Sequence, residues 1–143
     1  MPTHSPTPAL SGILETALHV SSIDRSSRFY EQVLGLGRIA GDGRFRAYSV
    51  AARDVLLLFQ RGETSLPFSF PGGVIPPHGG SGQLHIAFSI DLADLPKWES
   101  HLAASFIPIE SRVLWPLGGH SIYFRDPDDH LLELATRGLW SIY

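Results

Sequence analysis

The sequence predicts an α+β fold built from two βαβββ modules whose curved mixed sheets enclose a groove. Three observations predict it. The order strand, helix, three strands occurs in the first half and again in the second. Leu18-His19-Val20 stands before the first helix as Leu84-His85-Ile86 stands before the second. Between the halves lies a long Gly- and Pro-rich stretch without periodicity. A chain of 143 residues has the size of one domain and buries a core without staples.

Residues 1–12, rich in Pro, Ser and Thr, have no period and are expected to form a flexible N-terminal tail ahead of one domain, 13–143. Residues 13–20 alternate as a strand. Asp24 is the expected cap of a helix that carries Phe29, Tyr30, Val33 and Leu34 on one side and stops at Gly35 and Gly37. Short β-type runs at 38–40, 45–50 and 55–60 follow, joined by Gly41-Asp42-Gly43 and by 51–54, which read as hairpin connections. Module one thus covers about 13–60. Residues 61–82 hold Gly, Pro and Phe in no regular pattern, and a connection of that length works as a lid or binding loop. In module two, 83–136, a strand at 83–90 precedes a helix at 94–104 with Pro96 near its start, then strands at 106–113, 119–125 and 130–136. Residues 137–143 form a C-terminal tail.

Composition narrows the function classes. The chain is 43 % hydrophobic and 17 % charged, with a net charge of -3. No positive field gathers phosphates or anionic lipid, and no apolar run reaches the roughly 20 residues of a membrane span. Nucleic-acid and membrane partners are therefore not expected, and a small-molecule ligand is. With no cysteine there is no disulfide, thiolate zinc site or Cys nucleophile. The start Met1-Pro2-Thr3-His4 lacks the regions of a signal peptide, so a cytoplasmic location is expected.

Strand side chains alternate between two faces, which shows what shares a surface. His19 lies with Ala17 and Ser21, opposite Leu18 and Val20; His85 lies with Gln83, Ala87 and Ser89, opposite Leu84, Ile86, Phe88 and Ile90. In the last strand Glu133 falls between Leu131 and Ala135, a carboxylate among apolar neighbours that is too costly to bury without a partner and needs a cation. Two imidazoles and a carboxylate on the concave sides of different strands make a facial metal triad with open positions. Parity alone leaves a second alternative, three separate structural polar residues.

The run Ser121-Ile122-Tyr123-Phe124-Arg125-Asp126-Pro127-Asp128-Asp129-His130-Leu131-Leu132-Glu133, with the paired modules and their opening-strand histidines, resembles the vicinal oxygen chelate superfamily, which includes glyoxalase I, extradiol dioxygenases, fosfomycin-resistance transferases and bleomycin-binding proteins. The resemblance extends from about Ile13 to Thr136. Asp129 and His130 depart from it, standing where the family turn has Gly and often Asn. The resemblance implies that His19, His85 and Glu133 are metal ligands. It implies a divalent cation, Fe(II) or Mn(II) by preference, with Ni(II), Co(II) or Zn(II) as alternatives. It also implies a homodimer, in some branches with one ligand drawn from the partner chain.

The branch is read from positions that differ. Glyoxalase I has a fourth ligand, a Glu on the last strand of module one, where this chain has Val55-Leu56-Leu57-Leu58-Phe59-Gln60. The basic and hydroxyl set of the fosfomycin branch has no counterpart in Val113-Leu114-Trp115-Pro116-Leu117, although Ser21 stands where that branch keeps a hydroxyl or thiol. His120 and Tyr123 are the candidate acid/base and substrate-oxygen contacts, with Arg125 and Ser21 as polar substrate contacts. His120, three residues before Tyr123, falls by parity on the face of Ile122 and Phe124. Phe68, Phe70 and Trp115 form an apolar cover suited to an aromatic or apolar substrate body, Trp140 would help exclude water, and His78 is a lid histidine or a solvent-exposed one. The expected function is a metal-dependent enzyme acting on a substrate with adjacent oxygens, foremost an extradiol-dioxygenase-like oxidoreductase or a related lyase or isomerase. The alternatives are a glyoxalase-like lyase and a resistance protein of the fosfomycin or bleomycin type.

Overall fold

A computed structural model describes residues 5–143; the first four residues of the expected tail lie outside the described residues. In module one, strand β1 (Glu15–Val20) leads into helix α1 (Ile23–Gln32) and then into β2 (Gly37–Gly41), β3 (Phe45–Val50) and β4 (Asp54–Gln60). The connecting stretch folds a small hairpin, β5 (Phe68–Phe70) against β6 (Gly73–Ile75). Module two repeats the order with β7 (His85–Ser89), α2 (Leu95–Ala104), β8 (Ser111–Leu114), β9 (His120–Arg125) and β10 (Leu131–Ala135).

The repeat is also a repeat of topology. The first sheet is ordered β1-β4-β3-β2 and the second β7-β10-β9-β8, and in each the opening strand runs parallel to the last. Leu18 and Val20 of β1, with Leu56 and Leu58 of β4, face α1 and its Phe29 and Tyr30. Ile122 and Phe124 of β9, with Leu132 and Leu134 of β10, join Leu102 of α2 in the same apolar cluster. The helical sides of both sheets therefore form one core, and burying each of these side chains contributes roughly 1.5–3 kcal/mol. The opposite sheet faces look outward, and His85, Ala87 and Ser89 of β7 are exposed there.

Several boundaries differ from expectation for identifiable reasons. Ser22, not Asp24, caps α1: its backbone is extended and its side chain accepts from the Arg25 N–H. Asp24 sits in the first turn, where it favours the helix dipole and pairs with Arg46 at 3.1 Å. The β3–β4 turn places Ala51 and Ala52 at φ 52 and 55, a left-handed pair that the sequence marks with neither Gly nor Asn. The expected strand at 106–113 shrinks to Ser111–Leu114, because Phe106 leaves α2 at φ 59 and Ile107 and Ile109 reach the core without ladder partners before β8 begins. Ahead of α2 the chain makes a 3-10 turn at Leu92–Asp94. Among the described residues no helix is long and apolar enough to cross a membrane.

Candidate metal centre

Glu133 is 5 % exposed, on the outward face of β10 between β7 and β9. Two chains of contact fix its carboxylate. Oε2 accepts from the Ser121 hydroxyl at 2.5 Å, and that hydroxyl in turn accepts from the Trp115 indole N–H at 2.8 Å. Ser121 has one proton, so accepting from Trp115 aims that proton at Glu133. Oε1 faces His85 Nε2 at 3.4 Å.

The His85 ring is fixed as well. Its Nδ1 lies 2.8 Å from the Leu131 carbonyl, which only accepts, so Nδ1 carries the proton. In the neutral imidazole this leaves Nε2 as a lone pair opposite a carboxylate oxygen. In that form Nε2 and Oε1 are two acceptors 3.4 Å apart, a donor set that a divalent cation would reconcile, and the Nδ1–H to carbonyl bond is the outer support that ligating histidines use. His85 and Glu133 would therefore serve as two of the ligands of a metal. Tyr123, directly opposite Glu133 in the ladder, leans toward the His85 ring with centroids 6.4 Å apart. Burial raises its phenol above the ordinary tyrosine value and the Glu133 charge raises it further, so it stays protonated as a donor.

His19 is held elsewhere. It is 6 % exposed, stacked on Phe59 of β4 at 5.7 Å, with the His78 ring 5.3 Å away and Gly80 close enough that an added Cβ would lie 3.0 Å from the ring. Burial lowers its pKa below the ordinary histidine value, and the nearby His78 and Arg61 lower it further, which keeps the imidazole neutral. Among the described residues no three His, Asp or Glu side chains are gathered closely enough to hold a metal ion. One chain thus brings His85 and Glu133 together and leaves His19 apart from them.

The other predicted site residues fall into three groups. Tyr123 and Trp115 lie with the His85–Glu133 pair. Phe68 and Phe70, stacked at 6.5 Å, stand partly exposed on the β5–β6 hairpin, with Phe68 against the Arg44 guanidinium. The remaining three are turned away or already paired. His120 follows the alternation of Ile122 and Phe124 onto the core side of β9, opposite Tyr123 and Glu133, where its Nδ1 is buried without a partner. Ser21 donates its hydroxyl to Asp128 at 2.5 Å and accepts from Arg25 at 2.9 Å. Arg125 is paired with Glu110 at 2.6 Å and bonded to the Asp129 carbonyl. Trp140, expected to help exclude water, is 71 % exposed. Gln60 bridges the Ser21 carbonyl and the Ile23 N–H, so it serves α1, while Leu57 and Phe59 occupy the outward face of β4.

Sequence reasoning missed His130, which is fully buried. Its Nδ1 accepts from the Leu84 N–H and its Nε2 donates to the His19 carbonyl, each at 2.9 Å. One side chain thereby ties β1 at one candidate ligand to the residue beside the other. Its signal in the sequence was its place in the Asp126–Glu133 turn where Asn is usual, since Asn also offers one donor and one acceptor.

The fold and this paired geometry place the chain in a known family, and the comparison agrees: it belongs to the Glyoxalase/Bleomycin resistance protein/Dioxygenase superfamily, whose profile matches residues 12–134. Among individual proteins it is similar to a solved structure described as lactoylglutathione lyase from Agrobacterium tumefaciens, at 34 % identity and TM-score 0.84, covering 94 % of this chain and 99 % of that one. It is also similar to the metallothiol transferase FosB of Staphylococcus epidermidis, 30 % identical over 89 % of this chain and 82 % of the relative. The fosfomycin resistance protein FosX from Mesorhizobium loti, 23 % identical with TM-score 0.62 over 90 % of this chain and 93 % of that one, shares the fold.

Proposed function

We propose that the protein is a metal-dependent lyase or group-transfer enzyme for a small molecule with adjacent oxygens, its centre formed by His85 and Glu133 of one chain and His19 of a second copy. The observation that carries this reading is the His85–Glu133 pair: an oriented imidazole lone pair 3.4 Å from a buried carboxylate on an exposed sheet face. A divalent ion there supplies Lewis acidity that stabilises negative charge on a substrate oxygen. Tyr123 offers a protonated phenol to the second oxygen, Ser121 and Trp115 hold the Glu133 carboxylate in place, and the β5–β6 hairpin shields the groove from water. Two relatives bear on the reaction class: one is named a lyase and another a metallothiol transferase. Oxidative ring cleavage is less well supported, because the acid/base that reading requires, His120, lies on the core side of β9.

Elemental analysis of protein purified without chelator tests the centre. About one divalent ion per chain is expected, lost in His85→Ala and in Glu133→Ala, since removing one of three ligands leaves a poor site. Retention of the metal by either variant overturns the assignment. Protein that takes up no Fe(II), Mn(II), Ni(II), Co(II) or Zn(II) moves the function to ligand sequestration.

A further inference from the structure

We propose that the outward groove of the first sheet contains an anion-binding subsite in which Arg44 grips the carboxylate or phosph(on)ate of a small substrate. This deepens the metal-enzyme reading and rests on it: the substrate reaching His19 arrives with its anionic end on Arg44. The groove has a volume of about 500 Å³, and its floor is apolar, formed by Ala17, Leu57 and Phe59 with Ile75 from the hairpin. Arg44 and His78 line the same space.

Arg44 is unusual in what it touches. Its guanidinium lies 4.2 Å from the Phe68 ring centroid, 5.3 Å from Phe45 and 6.0 Å from Phe59. Aromatic faces on several sides fix the plane of the fork without neutralising its charge. None of the ion pairs among the described residues includes Arg44, and its Nε is buried with no hydrogen-bond partner. Asp42, the nearest acid in sequence, spends a carboxylate oxygen on the Arg44 and Phe45 backbone N–H groups. A buried N–H without an acceptor costs roughly 1–3 kcal/mol. An anion taking Nε–H and one Nη–H side-on satisfies it with the bidentate geometry that arginine favours.

Charge is distributed along the groove to match. Phe45 pairs with Phe59, and Phe59 with His19, so Arg44 stands one residue beyond the His19 level, opposite Gln60. Glu15 also lines the groove, but four residues from His19 along β1, roughly 13 Å at the strand rise. The ligand class is therefore a monoanion with a flat or branched apolar body, its anionic end toward the His19 level and its apolar part over Leu57 and Ile75.

The test uses metal-free full-length protein titrated with benzoate, phenylphosphonate and neutral benzamide, followed by calorimetry and by the arginine side-chain N–H signals. At least one anion is expected to bind about tenfold more tightly than benzamide, and the tighter of the two identifies carboxylate or phosph(on)ate as the recognised group. Arg44→Gln should reduce anion affinity to the benzamide level with an unchanged urea midpoint, and Arg44→Lys should recover only part, because it keeps charge without the fork. Equal binding of benzamide, or anion binding unaffected by Arg44→Gln, overturns the proposal. Anion binding in a protein that takes up no metal upholds the subsite and sinks the metal centre, and the reverse pattern does the opposite.

Discussion

At the scale of single residues, His130 binds nothing itself yet both its ring nitrogens serve backbone groups beside candidate ligands. Replacing it by Leu leaves the Leu84 N–H and the His19 carbonyl buried and unpaired, at about 1–3 kcal/mol for each group. His130→Leu should therefore lower the unfolding free energy by about 2–6 kcal/mol, read from urea midpoints, and His130→Asn should recover much of the loss by offering the same donor and acceptor. Ser121→Ala is the complementary case. It removes no ligand, but frees the Glu133 carboxylate and strands the Trp115 N–H, so metal affinity should fall by roughly 10–100-fold, read by competition with a chelator; unchanged affinity would show that Ser121 does not orient Glu133. Alternation was enough to read His85 and Glu133 onto the outward face from sequence. The Trp115–Ser121–Glu133 relay was not legible, because it joins the chain ahead of β9 to two neighbouring strands and depends on register. The same parity carried His120 away from the site, which is where the structure has it.

At the scale of elements, the start of α1 is docked onto the β9–β10 turn by charge. Asp128 accepts from the Ser21 N–H and hydroxyl and from the Ser26 hydroxyl, with Arg25 at 3.7 Å. Burial pushes the Asp128 carboxyl up, but these donors outweigh it and hold the pKa below the ordinary value. The unfolded chain therefore binds the proton more readily than the folded one. The stabilisation is present above the unfolded value of about 3.9 and is lost as pH falls through the lower folded value. Asp128→Asn should cost about 1–3 kcal/mol near neutral pH. The gap between the two proteins' urea midpoints should then narrow below about pH 4; a constant gap would show that the ionised carboxylate is not what docks α1. Asp126, in the same turn, has its carboxyl raised by burial and works in the opposite sense, so the single variant is needed to isolate Asp128. The elements themselves were largely legible, since alternating and helical periods mark strands and helices directly. Their ends were less so. Ser22 and Asp24 are both good cap residues, and only the folded backbone chooses between them; β5 and β6 are too short to show a period.

At the scale of the whole molecule, the metal-enzyme reading makes a quantitative statement about two chains. His130 ties His19 to the strand of its own His85, yet the two histidines are not gathered into one cluster with Glu133. In a two-fold dimer each complete centre then takes His19 from one chain and His85 with Glu133 from the other. Light scattering should accordingly find a dimer when metal is bound. Mixing variants gives the sharper result. His19→Ala and Glu133→Ala alone should each bind no metal at the centre. After exchange of subunits in an equal mixture, about half the dimers are mixed, and each mixed dimer has one centre with all three ligands and one with only His85. Metal content should return to about a quarter of wild type. A centre completed within one chain predicts no recovery, since every chain in the mixture lacks a ligand. The distinction does not depend on knowing the substrate, and it asks directly whether the two outward half-sites are parts of one centre.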